Sequence, residues 1–173
     1  MCLLILLCVS IGMIMSGCTS DVPASFAGMD KSDDFKKVIV QTGEMCTFEV
    51  DITTFEKETV VYEGEEGTIL LAGIEETSSN TVELQFKAQG NIHADRSTIM
   101  TACAYKDDGF MQSSVTVEPS ENVIAKCSLM TTELKEFGNY FSITILFKNC
   151  DVNESGIIKV TLQDLVLIEF YRN

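Results

Sequence analysis

Hydrophobic and polar residues alternate along much of the chain, in short segments separated by turn residues. In the clearest segment every second residue is apolar: Val82, Leu84, Phe86 and Ala88. A later segment repeats the pattern with Phe141, Ile143, Ile145 and Phe147. A period of two is typical of a strand with one buried face. We therefore predict two strands whose apolar residues all point into the core.

Turn signals divide the remaining apolar segments in the same way. Residues 59–62 and 68–72 flank a glycine-bounded loop at 63–67, which predicts a β-hairpin. Residues 153–156 form another turn, after which Ile158, Val160 and Leu162 begin the last strand. Helical signals are limited to single turns predicted at 32–38 and 132–137. Many short, regularly spaced strands indicate an all-β, antiparallel β-sandwich.

The first residues have a different character. Residues 2–15 are apolar and uncharged, but they are too few to cross a bilayer, which takes about 20 residues. The run ends in Ser16, Gly17 and Cys18. Small residues before a cysteine at the end of an apolar run resemble the lipobox of bacterial lipoproteins. That resemblance implies a diacylglyceryl group on Cys18 and cleavage just before it.

This interpretation divides the chain into three parts. Residues 1–17 are a signal peptide, residues 18–34 are the lipidated cysteine and a flexible tether, and residues 35–173 are a single β-sandwich domain. A lipid anchor would hold the domain on a membrane of the cell envelope, outside the cytoplasm. An uncleaved apolar anchor and an ordinary secretory signal are the alternatives.

The charge narrows the range of partners. The formal net charge is −14, and none of it comes from the first twenty residues. Nucleic-acid binding depends on Lys and Arg neutralising phosphates, so no nucleic-acid partner is expected. The excess of Asp and Glu over Lys and Arg serves either to keep the domain soluble or to bind divalent cations.

Four cysteines follow the lipidation site: Cys46, Cys103, Cys127 and Cys150. In an exported protein they allow two disulfides with three connectivities. Their wide spacing matches no zinc motif. The alternative is that they remain reduced and, when buried, act as small hydrophobic residues.

Three segments of the second half resemble the jelly-roll sandwiches of carbohydrate-binding modules and galactose-binding-like domains. They are a strand at 97–105 that ends in Tyr105, a linker at 130–137 and a closing strand at 158–167. The chain departs from the family pattern at Leu134, where Trp is usual, and at Gln163, where Asp is usual. The resemblance implies a jelly-roll-like sandwich that binds carbohydrate.

A sugar site needs aromatic faces, and the chain contains no Trp. The ligand-binding candidates are therefore the tyrosines: Tyr62, Tyr105, Tyr140 and Tyr171. Tyr62 lies next to the loop at 63–67, where binding residues commonly occur. The alternative is that each tyrosine is a rim residue whose hydroxyl reaches water.

The resemblance also implies a structural calcium ion at Asp164, a carboxylate within an otherwise apolar last strand. Calcium takes six to eight oxygen ligands. Further ligands could come from Asp34, Glu49 or Asp51, near the start of the domain. The alternative is a carboxylate satisfied by backbone N–H groups at a strand bend. No other cofactor is predicted.

Catalytic motifs are not evident. The one histidine, His93, lies in a predicted loop, and no serine has a G-x-S-x-G environment. We therefore predict that the protein is not an enzyme but a non-catalytic binding module, with carbohydrate as its ligand. The alternative is a structural or assembly lipoprotein that engages envelope proteins through an apolar patch or a free edge strand. A hydrolase built on two carboxylates is the third hypothesis.

Overall fold

The computed structural model describes residues 25–55, 57–106, 109–119, 123–148 and 156–173, with the main chain alone described for 123–131. In these ranges the chain forms one short helix and thirteen strands. The strands make antiparallel sheets that pack together. The prediction of an all-β sandwich is therefore confirmed.

The helix is α1 (Phe26–Asp30). The strands are β1 (Phe35–Gln41), β2 (Met45–Asp51), β3 (Thr59–Gly64), β4 (Gly67–Ser78), β5 (Thr81–Gln89), β6 (Arg96–Thr101), β7 (Cys103–Lys106), β8 (Gly109–Gln112), β9 (Ser114–Glu118), β10 (Val123–Leu134), β11 (Gly138–Phe147), β12 (Ile157–Gln163) and β13 (Val166–Arg172). The hairpin predicted around residues 63–67 is the β3–β4 pair.

A five-stranded sheet, in the order β10-β11-β5-β4-β3, carries much of the core. Its inner face includes both alternating sets predicted from the sequence, and each of those residues is at most 2% exposed. Phe141 lies opposite Phe86, and their rings stack with centroids 4.9 Å apart. The predicted inward orientation of both strands is thus confirmed.

Two three-stranded sheets, β1-β13-β6 and β2-β12-β9, share bent chain segments. The segment 35–51 bends between β1 and β2, and the segment 157–172 bends between β12 and β13. Backbone hydrogen bonds link the two bends, from Thr42 N to Leu165 O and from Leu165 N to Glu44 O, both 2.9 Å. The hairpin β7–β8, whose outer end is exposed, leaves the sheets near the same bend, where Ser113 N donates to Ala102 O at 2.8 Å.

Asp164 lies at the second bend and not inside a strand. Its φ of 59° is in the left-handed region, and it separates β12 from β13. The prediction of one continuous last strand through Asp164 is therefore wrong. Asp is among the few non-glycine residues that tolerate this conformation, because its short polar side chain can hydrogen-bond locally.

Residues 25–34, which the sequence assigned to the flexible tether, instead form part of the folded domain. Phe26 and Met29 are buried, and the Phe26 ring lies 6.0 Å from that of Phe170. Ser25 caps the helix by accepting a hydrogen bond from Gly28 N at 3.0 Å. Apolar residues three apart lie on one face of a helical turn, and burying that face ties the segment to the core.

The two predicted helical turns are also wrong. Residues 132–137 contain the end of β10 and its turn into β11, closed by a hydrogen bond from Lys135 N to Gly138 O at 2.8 Å. Residues 32–34 precede β1, and residues 35–38 belong to it, since β1 pairs with β13 from Phe35 onward. Pairing with a neighbouring strand overrides the weak local helix preference. No helix in the described ranges is long and apolar enough to cross a membrane.

Candidate functional site

The four candidate tyrosines do not form one exposed aromatic face. Tyr62 and Tyr171 are half-buried, and each donates its hydroxyl to a carboxylate. The acceptor of Tyr62 is Glu44. The acceptor of Tyr171 is Glu169 Oε1, at 2.7 Å. Burial and then the bond to Glu44 raise the pKa of the Tyr62 phenol well above its ordinary value.

Tyr171 belongs to a charged network centred on Arg96. The guanidinium donates to Glu169 Oε1 and to Glu66 Oε1, each at 2.8 Å. The hydrogen bond from Arg96 lowers the pKa of the Glu66 carboxyl. Because these groups already satisfy one another, the network links the β3–β4 loop to β6 and β13 instead of presenting Tyr171 to a ligand.

Tyr140 and Tyr105 lie on different surfaces. Tyr140 is on the outer face of the five-stranded sheet, opposite Lys87, and Lys135 Nζ lies 4.7 Å from its ring centroid. Tyr105 is 64% exposed on β7. Its ring contacts Phe110 across the β7–β8 hairpin, with centroids 5.0 Å apart. Each of the two is thus available singly, not as part of a shared platform.

An open cleft of about 520 Å³ lies between β2, β3 and the segment that joins them. We call it the β2–β3 cleft. Its apolar lining comprises Phe48, Val50, Phe55, Val60, Val61 and Leu71. Its polar lining comprises Glu49, Asp51, Thr54, Lys57 and Thr59. The volume lies in the range of about 300–1,000 Å³ usual for ligand sites, as does the combination of apolar walls with a few polar groups.

The cleft forms because two sheet edges meet. β2 is an edge strand of its three-stranded sheet and β3 is an edge strand of the five-stranded sheet. Alternation along β2 points Cys46, Phe48 and Val50 inward. Phe48 packs edge-on against Phe86, with centroids 5.9 Å apart and planes at 69°. One side of the Phe48 ring is thus anchored in the core while the residue also lines the cleft.

Asp51 supplies a pre-arranged carboxylate at the rim. Its Oδ1 accepts hydrogen bonds from Thr53 Oγ1 at 2.6 Å and from Thr53 N at 2.9 Å. These bonds lower the pKa of Asp51, so the group is ionised at neutral pH. An ionised carboxylate is an acceptor only, and a hydroxyl or ammonium donor on a ligand would suit it.

Sequence reasoning missed this cleft, and none of the four tyrosines lines it. The available signal was Phe55, an aromatic residue in the otherwise polar segment 53–58 between two strands. Phe48 carried no separate signal, because its place in the alternation of β2 equally predicts a core residue.

The partners predicted for a calcium ion at Asp164 do not meet there. Asp34 lies opposite Asn173, at the far end of β13, and Glu49 and Asp51 pair with the first half of β12. Strand residues are about 3.3 Å apart along the chain, so this register keeps these carboxylates well away from the bend. The described residues contain no group of three or more metal-ligating side chains.

Cys46 and Cys103 are buried free thiols. Burial raises the pKa of Cys46 to about 11 and that of Cys103 to about 12, so both are protonated at neutral pH. Cys46 and Cys103 are not bonded to each other. The side chain of Cys127 and the whole of Cys150 lie outside the described residues.

His93 is exposed in the loop between β5 and β6, as predicted. Its contacts with Ser97 involve the backbone: His93 N donates to Ser97 Oγ, and that hydroxyl donates to His93 O, both at 3.1 Å. This nearby serine therefore closes the loop and does not bond to the imidazole.

Comparison with known proteins yields no match, whether to a family model, to a characterised protein or to a solved structure.

Proposed function

We propose that this protein is an exported, lipid-anchored, non-catalytic module that binds carbohydrate in the β2–β3 cleft. The observation that carries the proposal is the lining of the cleft. Aromatic and aliphatic side chains from two sheet edges form its walls, and ionic and hydroxyl groups surround them. The jelly-roll resemblance of the second half of the chain points to the same ligand class.

A pyranose ring has an apolar face of C–H groups and an edge of hydroxyls. Phe48 and Phe55 offer apolar ring surface at low conformational cost. Asp51 accepts hydrogen bonds from hydroxyls, and Lys57 donates to ring or hydroxyl oxygens. The cleft thus offers a partner to both kinds of surface on one sugar ring.

The charges at the rim narrow the ligand further. Glu49 and Asp51 contribute two carboxylates and Lys57 one ammonium group. The whole chain carries a net charge of −14. Repulsion between like charges makes uronic-acid or sulfated polymers poor ligands. Neutral glycans are the expected class.

The cleft predicts a specific binding defect. We expect Phe55→Ala in the full chain to weaken binding to a neutral polysaccharide about tenfold, equivalent to about 1.4 kcal/mol. The reason is the loss of an aromatic ring from the lining of the cleft. Affinity electrophoresis through gels containing glucan, mannan or xylan measures this effect.

Tyr140→Ala is the matched control, because it removes an aromatic ring from the outer face of the five-stranded sheet, outside the lining of the cleft. It should migrate as the parent chain does. Retardation by none of the three neutral polymers would contradict the proposal, as would equal weakening by both substitutions.

Anchoring rests on Ser16, Gly17 and Cys18, which close the apolar run. We expect Cys18→Ala to abolish lipid attachment and to release the protein from the membrane fraction or block its processing. Metabolic labelling with a radioactive fatty acid, followed by fractionation, tests both outcomes. Cys2→Ala is the control, because it alters a cysteine inside the apolar run. An unlabelled Cys18 in a parent chain that remains membrane-bound would rule out lipidation.

A further inference from the structure

Strand β1 is an edge of the sheet β1-β13-β6. It pairs with β13 on one side, and no described strand pairs with its other side. An unpaired edge presents a row of backbone donors and acceptors that fits another extended chain. This surface is separate from the β2–β3 cleft and plays no part in the proposed sugar binding.

The register identifies which residues face outward. Asn173 N donates to Asp34 O and Thr42 N donates to Leu165 O, both at 2.9 Å. Alternate residues of an antiparallel strand bond to the same neighbour, so the even-numbered residues of β1 bond to β13. The N–H and C=O groups of Lys37 and Ile39 therefore point outward. Phe35 N fits this alternation, because it donates away from β13, to Ser32 O.

A cleft of about 910 Å³ runs along this edge, and we call it the β1 edge cleft. It is lined by the continuous stretch 35–40, by residues of the turn that precedes β1 and by Lys106 of β7. A strand added to a sheet lies about 4.8 Å from its neighbour. Space along the whole length of the strand suits an extended chain better than a compact ligand.

The β1 edge cleft is locally basic. Three lysines and two aspartates line it, so its formal charge is +1 in a chain of net charge −14. Lys37 Nζ already contacts Asp30 Oδ1 at 2.6 Å. That ion pair leaves Lys36, Lys106 and Asp33 as the other charged groups of the lining, with a net charge of +1 to meet a partner. The complementary ligand carries carboxylates.

We propose that the β1 edge cleft docks an extended, acidic peptide segment of another protein, which adds to β1 as a further strand. Backbone hydrogen bonds to Lys37 and Ile39 supply the pairing, and Lys36 and Lys106 select acidic side chains. A second copy of this chain is a poor occupant, because its own β1 would bring two more lysines to the same edge.

Amide hydrogen exchange tests the proposal residue by residue. In the full chain, kept in mild detergent, the amides of Lys37 and Ile39 should exchange faster than those of Val38 and Val40. A synthetic peptide of alternating glutamate and valine should then slow exchange at Lys37 and Ile39 by about tenfold or more. The same peptide N-methylated at every amide should have no effect, because neither of its edges then has N–H groups to pair with β1.

Charge reversal supplies the matched variants. Lys36→Glu combined with Lys106→Glu should weaken binding of the glutamate–valine peptide about tenfold or more. Lys87→Glu combined with Lys159→Glu changes the net charge equally on other strands and should leave binding unchanged. Phe55→Ala should also leave it unchanged, so failure of the sugar site and failure of this site are distinguishable.

Several results would overturn the proposal. Exchange at Lys37 and Ile39 could remain fast with the glutamate–valine peptide, or be slowed equally by a lysine–valine peptide or by the N-methylated one. Slow exchange at both amides that depends on protein concentration without peptide would show that a second copy occupies the edge instead.

Discussion

Replacing Phe86 by alanine is expected to lower the free energy of unfolding by about 3–5 kcal/mol. Phe86 is 1% exposed, in the central strand of the five-stranded sheet. Its ring stacks on Phe141 and meets the edge of Phe48, so removing it leaves a cavity between both sheets. Urea denaturation followed by circular dichroism measures the loss. A domain stable by about 5–15 kcal/mol would lose a large part of that stability.

Phe137→Ala is the matched control for this prediction. Phe137 is 63% exposed in the turn between β10 and β11. Its replacement should change the stability by no more than about 0.5 kcal/mol, as is usual for surface sites. If Phe86→Ala cost no more than Phe137→Ala, the packing of the two sheets described above would be incorrect.

Gly138→Ala is expected to destabilise the domain by about 3 kcal/mol or more, at the upper end of overpacking effects. A Cβ at this position would overlap Ala88 O, which is a backbone atom of the neighbouring strand. The contact cannot be relieved by a side-chain rotation, so β11 and β5 would have to separate locally. Thermal denaturation of the full chain measures the effect.

Gly73→Ala is the control in the same sheet. A Cβ there would meet Gln85 Oε1 at 3.0 Å, the end of a flexible side chain that can move away. Alanine also costs less conformational entropy than glycine in a strand, by about 0.5–1 kcal/mol. Gly73→Ala should therefore be nearly neutral. Equal melting temperatures for the two variants would contradict the close approach at Gly138.

The length of chain between Cys18 and the described residues limits how far the domain could lie from a lipid anchor. If Cys18 carries the lipid, residues 19–24 connect it to Ser25, the first residue of the described fold. Seven residue steps, from Cys18 to Ser25, span at most about 25 Å. Ser25 would then lie within about 25 Å of the lipidated residue.

Much of the strand architecture was determined by local pattern. A period of two places all four apolar residues of β11 on one face, and a one-residue shift in register would expose them all. Burial of Phe141 and Phe147 was therefore predictable from spacing alone. The hairpin at 63–67 was also predictable from local sequence, because its glycines separate two apolar segments.

Interactions between distant segments decided the features that local pattern did not. Phe26 and Met29 looked like part of a tether, because two apolar residues in a polar segment reveal nothing about the core they join. Tyr62 and Tyr171 became structural hydrogen-bond donors because folding placed Glu44 and Glu169 within reach. The last strand bends at Asp164 because the neighbouring strands bend with it.

Both proposed binding surfaces are features that interactions between distant segments decided. The sequence by itself determined the all-β class, the inward faces of β5 and β11 and the acidic charge, because each depends on residue type and spacing. Only the tertiary structure decided that β1, β2 and β3 are edge strands. Phe48 and Phe55 line a cleft, and Lys37 and Ile39 have outward-facing backbone groups, because no further strand lies beside them in the described fold. Strand order is set by contacts between residues far apart in the chain, which a periodic pattern does not encode.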